Sequence, residues 1–235
     1  MNHPVAVLVV TRNNLALSKL ALKSVLAQDV PVELLVIDNA SDDGTLQWLL
    51  SKPYSWMSMQ EQKSLSYCWN FGLRALFLAG HDRVLVINND VVLRPDTARL
   101  LREHGGEFVT GVSVDKYESG HEDPAWRARM DTARPHPDFS CFMIAKSVTE
   151  KVGWFNENYF PGYAEDSEMH VRMHRAGVNA VCIDLPFLHH RGSTLKSASP
   201  GEAERIKRGA EANRQRFRAT YGCLPGSEAY SKLFE

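Results

Sequence analysis

Three short apolar runs, each ended by polar residues, do most to constrain how the chain can fold. They cover residues 5–10, 34–37 and 84–87. Runs of this length without alternating polar residues are typical of strands buried on both faces of a parallel sheet. The polar residues that follow are Thr11-Arg12 after the first run, Asp38-Asn39 after the second, and Asn88-Asn89-Asp90 after the third.

Helical patterns separate these runs, which predicts right-handed strand–helix–strand units. The carboxyl ends of parallel strands share one edge of a sheet, and open α/β sheets bind ligands there. Further strands are predicted at residues 108–114, 142–145 and 180–183, and further helices at 147–152 and 202–221. We therefore expect a single α/β domain whose open, mixed and mostly parallel sheet is flanked by helices, with an irregular polar insert at residues 115–138.

Composition excludes several classes of protein. A net charge of −1 over 235 residues provides no general attraction to nucleic acid. The four cysteines are widely spaced, which favours reduced thiols over a disulfide framework or a zinc site. Because no apolar run approaches the roughly 20 residues that span a bilayer, a soluble, cytoplasmic protein is expected.

The cluster Asn88-Asn89-Asp90 has two interpretations. One carboxylate beside two amides at a strand end suits a hard cation and the phosphates that it carries. The same residue types also favour turns. The sequence has neither GxGxxG after the first strand nor a P-loop, so a nucleotide would have to be held by side chains such as Asp38 and Asn39. Asp43 and its neighbour Asp42 are predicted to cap a helix instead.

A second cluster lies at residues 159–166, YFPGYAED, directly before a predicted helix that ends near Gly177. Carboxylates in a first helical turn are stabilised by the positive end of the helix dipole, and a carboxylate such as Asp166 can act as a general base. His170 and His174 have the spacing of HExxH without its glutamate, so we interpret them as ordinary histidines. Residues 189–190, His-His, are either structural or complete a cation site with Asp90.

Together, these segments resemble the family 2 glycosyltransferases of the GT-A fold, especially the rhamnosyltransferase-like branch. VAVLVVTRNN, VIDNASDDGT, VINND, NYFPGYAEDSEMHVRMHRAG and LHHRGS occur in the order of that family's motifs. The resemblance extends over about residues 5–195. It implies an inverting transferase that moves one sugar from a nucleoside-diphosphate sugar, with UDP or dTDP favoured, to an acceptor hydroxyl.

The resemblance also assigns roles to individual residues. It implies that Asp166, beside Glu165, is the general base, and that Asp90 binds Mg2+ or Mn2+ together with His189 or His190. The residues expected to bind the nucleotide are Thr11, Arg12, Asp38, Asn39, Asn70, Asn88 and Asn89. Those expected to contact the acceptor are Trp126, Cys141 and Tyr163. The acceptor is a saccharide, a lipid-linked molecule or a protein.

Residues 1–200 would form the transferase domain, with a nucleotide-binding half at 1–104 and an acceptor-binding half at 105–200. Residues 201–235 would form a basic helix and tail, solvated by default, with contact to an anionic membrane surface as the alternative.

Asn88 replaces the first Asp of the family's metal motif, which removes one formal charge from the site. Two other functions remain open. One is a degenerate sugar-nucleotide-binding module. The other is a sugar-phosphate nucleotidyltransferase, which would need a glycine-rich basic loop after the first strand.

Overall fold

The structure, a computed structural model, describes residues 3–115 and 137–235, with the backbone of residues 132–133. The predicted acceptor residue Trp126 lies outside the described residues. Within the described part of the chain, no helix is long and apolar enough to cross a membrane.

The first half of the sheet consists of four parallel strands in the order β3-β2-β1-β4. They are β1 (Val5–Thr11), β2 (Val32–Asp38), β3 (Ser55–Ser58) and β4 (Arg83–Asn88). All seven residues of β1 are buried, which confirms a strand covered on both faces. β3 alternates exposed and half-buried residues at the sheet edge, so it lacks the apolar run that marks the other three.

The second half of the sheet is mixed. It contains β5 (Val91–Val92), β6 (Phe108–Val114), β7 (Thr132–Ala133), β8 (Cys141–Ala145) and β9 (Ala180–His189). β8 pairs antiparallel with both β4 and β6, whereas β9 runs parallel to β6 and carries the short antiparallel strands β5 and β7. The sheet confirms the predicted open, mixed α/β architecture, although its parallel pairings are confined to β1–β4 and to β6 with β9.

Helices cover both faces of the sheet. They are α1 (Leu15–Leu26), α2 (Thr45–Leu49), α3 (Leu65–Leu78), α4 (Thr97–His104), α5 (Lys146–Val152), α6 (Glu165–Arg175), α7 (Ser193–Ser197), α8 (Pro200–Tyr221) and α9 (Glu228–Ser231), followed by a 3-10 turn at Lys232–Phe234. Alternate β1 residues face opposite cores, with Leu8 beneath α3, α5 and α6 and Val7 beneath α1 and α4. A Cβ at Gly72 would lie 2.3 Å from Leu8 Cδ1, so this glycine lets α3 approach β1 closely.

The C-terminal segment packs against the rest of the fold. Ile206, Asn213 and Phe217 of α8 are buried, so this helix is solvated on its outer face and packs through an inner one. His170 Nδ1 lies 3.3 Å from the Tyr230 hydroxyl, and its ring stacks on Phe234, which confirms that this histidine is satisfied within the protein. The basic residues of α8 are exposed: Arg205, Lys207, Arg208, Arg214, Arg216 and Arg218.

Candidate active site

The polar residues that end β1, β2 and β4 meet at one edge of the sheet. The register pairs Thr11 with Asp38 and Val10 with Asn88, which places the three strand ends side by side. This is the edge at which open α/β sheets bind ligands.

One group of residues at this edge completes its hydrogen bonds inside the protein. The Asn89 amide nitrogen donates to Thr11 Oγ1 (3.2 Å), Ser18 Oγ (3.0 Å) and the Asn13 carbonyl (3.1 Å). Thr11 Oγ1 also lies 2.8 Å from Ser18 Oγ. These bonds join the end of β4 to the loop between β1 and α1, so Thr11 and Asn89 shape the site from beneath.

Asn39 and Arg12 shape the loop after β2. The Asn39 side chain donates to the Lys63 carbonyl (3.0 Å) and accepts from the Lys63 amide (2.8 Å). Arg12 donates to the carbonyls of Asn39 (3.0 Å) and Ala40 (2.6 Å) and pairs with Glu202 of α8 at 3.0 Å. Both side chains are thus engaged within the protein at positions where the sequence predicts nucleotide contacts.

Asp38 and Asn88 differ from these neighbours. Asp38 Oδ2 accepts from Ser58 Oγ (2.8 Å) and from the Ser41 amide (3.4 Å). Its Oδ1 atom and the Asn88 Oδ1 atom are buried, and neither has a hydrogen-bond partner among the described residues. Because a buried, unsatisfied acceptor is unfavourable, these two oxygens are the acceptors at this edge that a ligand donor would satisfy.

Two predicted contacts are contradicted. Asn70 is 1% exposed, and its amide donates to the Phe155 carbonyl and to Glu157 Oε1, each at 2.8 Å, so it anchors α3 to the loop before α6. Cys141 is fully buried in β8 opposite Ile87, and burial raises the pKa of its thiol well above the usual value. The Asn70 amide oxygen also accepts from the Phe155 amide at 3.0 Å, so its hydrogen bonds are completed inside the protein, and the Cys141 thiol has no exposed surface. The structure therefore offers neither group to a substrate.

Asp90 and His189 come together because β5 pairs with the end of β9. His189 Nε2 lies 3.6 Å from Asp90 Oδ1, and the Ser193 hydroxyl donates to Asp90 Oδ2 at 2.7 Å. Burial raises the pKa of Asp90, but the hydrogen bonds from His189 and Ser193 outweigh it and hold the pKa below the ordinary value. The Asp90 carboxylate is therefore ionised at neutral pH.

This donor set fits a divalent cation that takes its remaining ligands from a substrate. The His189 Nδ1 atom is buried without a partner among the described residues. Within that part of the chain, no three His, Cys, Asp or Glu side chains converge, and His190 contacts Asp90 through its backbone amide. Mg2+ is commonly held by one or two protein ligands plus substrate phosphates and water. Of the two predicted histidines, the geometry favours His189.

A cavity of about 630 Å3 opens beside this pair and has the size of a small-molecule site. It is lined by Asn14, Leu17, Asp115, His189, His190, Arg191, Ser193, Lys196 and Ser197. Arg191 and Lys196 give it positive charge, which suits phosphate oxygens.

The turn before α6 carries the second pair of carboxylates. Tyr163 (φ 74°) and Ala164 (φ 70°) both adopt the left-handed conformation, which is strained for residues with a Cβ. Glu165 is 4% exposed. Its pKa lies well above the usual range because of burial and the nearby Asp166 charge, and its Oε2 atom has no partner among the described residues.

Asp166 is held by the residue that follows it. Its Oδ1 atom accepts from the Ser167 amide (2.6 Å) and hydroxyl (3.3 Å). Burial raises the pKa of Asp166, and the bonds from Ser167 offset only part of that rise. Tyr163 is 42% exposed. Its pKa is raised by burial and then by the charges of Glu165 and Asp90.

Several residues that build the site carry no obvious signal in the sequence. Ser193 lies within the LHHRGS segment, but its bond to Asp90 is visible only in the fold. Glu202 and Asn213 lie on a helix whose composition predicts a solvated surface, yet both reach into the site region.

Comparisons with known proteins agree with this geometry. Residues 6–166 match the family described as Glycosyl transferase family 2. The low-salt glycan biosynthesis hexosyltransferase Agl10 of Haloferax volcanii is 26% identical over 182 residues. That alignment covers 68% of this chain and 59% of Agl10, so the matched region spans little more than half of the relative.

Two solved structures show the same fold. The mannosyltransferase PcManGT from Pyrobaculum calidifontis, in complex with GDP-Man and Mn2+, has a TM-score of 0.61 and 18% identity, covering 98% of this chain and 67% of its own. TarS 1–349 from S. aureus, in complex with UDP-GlcNAc, has a TM-score of 0.61 and 17% identity, covering 99% of this chain and 70% of its own. The predicted GT-A fold is confirmed.

Proposed function

Because the chain belongs to glycosyltransferase family 2, we propose that it moves a single sugar from a nucleoside-diphosphate sugar to an acceptor hydroxyl with inversion at the anomeric carbon. The observation that supports this proposal is a contrast between the two carboxylates to which the motif segments assign chemical roles, Asp90 and Asp166. The pKa of Asp90 is lowered and that of Asp166 is raised. Carboxylates whose environments drive their pKa values apart perform different tasks in a site.

The donor nucleotide lies along the ends of β1, β2 and β4. Asp38 Oδ1 and Asn88 Oδ1, buried without partners among the described residues, accept from N–H or O–H groups of the nucleoside. The loop built by Thr11, Arg12 and Asn39 gives that surface its shape. GDP-Man and UDP-GlcNAc in the similar structures support a nucleotide-sugar donor, and we favour UDP or dTDP as its nucleotide.

Asp166 is the general base. It removes the proton from the acceptor hydroxyl as the oxygen attacks the anomeric carbon from the face opposite the diphosphate, so one displacement inverts the configuration. A raised pKa brings the basicity of this carboxylate closer to neutral pH, where proton transfer is more efficient. Glu165 is the second carboxyl of this catalytic pair: it is 4% exposed, and burial and then the Asp166 charge raise its pKa.

Asp90 and His189 would hold Mg2+ or Mn2+ against the donor diphosphate. When bound, the cation would neutralise the negative charge that develops on the leaving group. Ser193 keeps Asp90 oriented through its hydroxyl. Arg191 and Lys196 add positive charge at the wall of the adjoining cavity.

The two halves of the transferase domain bind different substrates in this proposal. Residues 1–104 form the donor half, and residues 105–200 form the acceptor half. Tyr163, which is exposed two residues before Glu165, would contact the acceptor, which is a saccharide, a lipid-linked molecule or a protein.

Calorimetric titration with UDP, dTDP and GDP, each with Mn2+ and with EDTA, tests the donor side. We expect one nucleotide to bind tightly and EDTA to weaken it. Release of nucleoside diphosphate from the matching nucleotide-hexose, with water or a panel of saccharides as acceptor, then tests transfer. Binding without turnover would favour a sugar-nucleotide-binding module, and binding that ignores EDTA would remove the cation from the proposal.

A further inference from the structure

The loop at residues 159–164, here called the base loop, leads directly into Glu165 and Asp166 and is held from outside. The Asn213 amide of α8 donates to the Phe160 carbonyl (3.1 Å) and to the Gly162 carbonyl (2.6 Å). The carbonyl between them, on Pro161, accepts from the Leu65 amide at 3.0 Å. Three consecutive carbonyls are thus fixed by two different helices.

Helix α8 approaches this loop unusually closely. A Cβ at Gly209 would lie 2.5 Å from Pro161 Cδ and 3.1 Å from the Phe160 oxygen, so a larger residue would displace the loop. Gly209 and Asn213 are four residues apart and therefore lie on the same helix face. Phe217, one turn further, anchors that face in a cluster with Tyr159.

The strain in the base loop explains why such anchoring matters. Tyr163 and Ala164 are consecutive non-glycine residues in the left-handed region. Strained conformations of this kind persist only where surrounding contacts over-determine them. The bonds from Asn213 end one residue before the strained pair, and Asp166 follows two residues after it.

We infer that Asn213 is a positioning residue for Asp166, acting through the base loop. Asn213 is 2% exposed and meets its two acceptors in the protein interior, so it contacts no substrate itself. Its amide fixes the carbonyls that set the course of the chain into α6, and thereby the direction of the Asp166 carboxylate. Asn213 lies outside residues 6–166, the segment that matches the family. This inference rests on the function proposed above.

The test uses Asn213→Asp, which keeps the shape but replaces the two N–H donors with a carboxyl group, and Asn213→Ser, which keeps one hydroxyl donor on a shorter side chain. We expect Asn213→Asp to lower kcat by about tenfold to a hundredfold, as misplacement of a catalytic group does. The kcat of Asn213→Ser should lie between that of Asn213→Asp and that of the original protein. The Kd for the donor nucleotide should not change, because its site lies at the strand ends. Gln215→Ala, an exposed change on the same helix at a residue whose side chain donates to Glu211, is the matched control.

A double-mutant cycle with Asp166→Asn separates positioning from a general structural role. If Asn213 acts through Asp166, Asn213→Asp will not lower the residual rate of Asp166→Asn any further. Additive losses, or a loss of melting temperature without a loss of kcat, would overturn the inference. Should Asn213→Asp not fold, Asn213→Ser and Gly209→Ala enter the same cycle. A protein without any turnover would refute the proposed function, whereas turnover that is insensitive to all these changes would refute only this inference.

Discussion

Two groups of polar side chains share the candidate site, and they differ in where their hydrogen bonds end. Thr11, Asn39 and Asn89 direct their bonds to other parts of the protein. By contrast, Asp38 and Asn88 each keep a buried oxygen without a partner among the described residues. All five residues occur in the motif segments, so the motifs alone do not tell which side chains are hydrogen-bonded within the protein and which keep an unpaired oxygen.

The same contrast extends to the carboxylates. Asp43 is fully used, because it accepts from the Leu15 amide and from the Thr45 amide and hydroxyl at the starts of α1 and α2. The N-cap position of α2 is nevertheless Gly44, so Asp43 is not its N-cap residue. Glu165 keeps one buried oxygen unpaired within the described structure and has a raised pKa. Buried polar groups with hydrogen-bond partners stabilise a fold, whereas buried polar groups without partners destabilise it until they bind a ligand or a proton. The two sets should therefore respond differently to substitution.

The largest effect is expected at Asp166. Asp166→Asn keeps the shape of the side chain but removes the base, so kcat should fall by about a hundredfold to ten-thousandfold. Release of nucleoside diphosphate from the donor measures this loss, and calorimetry should show unchanged nucleotide affinity. The control is Asp82→Asn, an exposed change at the turn before β4. An unchanged kcat in Asp166→Asn would show that Asp166 is not the general base.

Asp90→Ala should have the next largest effect, and it should depend on metal. Because Asp90 and His189 are the proposed cation ligands, affinity for the donor nucleotide in Mn2+ should fall by about tenfold to a hundredfold. In EDTA, the variant and the original protein should bind alike. Calorimetric titration under both conditions gives the comparison. An equal loss with and without metal would show that Asp90 acts on the fold or on the nucleotide rather than on a cation.

Substitution at a satisfied residue should reverse this pattern. Asn89→Ala removes a donor from two hydroxyls and a carbonyl, so the free energy of unfolding should fall by about 1–3 kcal/mol. Urea denaturation measures the change, and the exposed Asn158→Ala is the matched control. At temperatures where Asn89→Ala is folded, nucleotide affinity should be preserved. A selective loss of affinity without a loss of stability would place Asn89 among the ligand-facing residues.

The sequence alone predicts the fold better than it predicts these roles. Continuous apolar runs mark β1, β2 and β4, and their order fixes the edge at which the polar clusters meet. β3 escapes detection because an edge strand has no such run. Whether a polar side chain is satisfied depends on partners far along the chain. Asn89 meets Thr11 across 78 residues, and no local pattern encodes that contact.

The tail shows the same limit. The charges of α8 predict a solvated helix, and most of its surface is solvated. Its inner face carries Gly209, which is small enough for the base loop to pack against it, and Asn213, whose amide donates to that loop. Neither contact can be predicted from the sequence of α8 alone. For Cys141, the position in a central strand was predictable in outline, but an acceptor contact was expected nonetheless, and burial excludes it.

Glu165 offers a smaller test, in which a substitution stabilises the protein. Its pKa is higher in the folded than in the unfolded state, so the unfolded chain binds fewer protons as pH rises and the folded state loses stability. Glu165→Gln removes that penalty, and the free energy of unfolding at neutral pH should rise by about 0.5–2 kcal/mol. Near pH 4, where both states are protonated, the difference should vanish. Urea denaturation at both pH values provides the measurement, and a loss of stability at neutral pH would contradict it.

The smallest effect is expected at the contact between Glu202 and Arg12. The pair is partly exposed, at 19% for Arg12 and 22% for Glu202, so Glu202→Gln should lower the free energy of unfolding by only about 0.5 kcal/mol, and less in high salt. Arg12 keeps its bonds to the carbonyls of Asn39 and Ala40, so nucleotide affinity should not change. Glu211→Gln, on the exposed side of the same helix, is the control. A rise in nucleotide affinity in Glu202→Gln but not in Glu211→Gln would show that Arg12, once released from Glu202, binds the donor phosphates. Arg12 would then be a ligand-binding residue rather than one whose bonds are completed inside the protein.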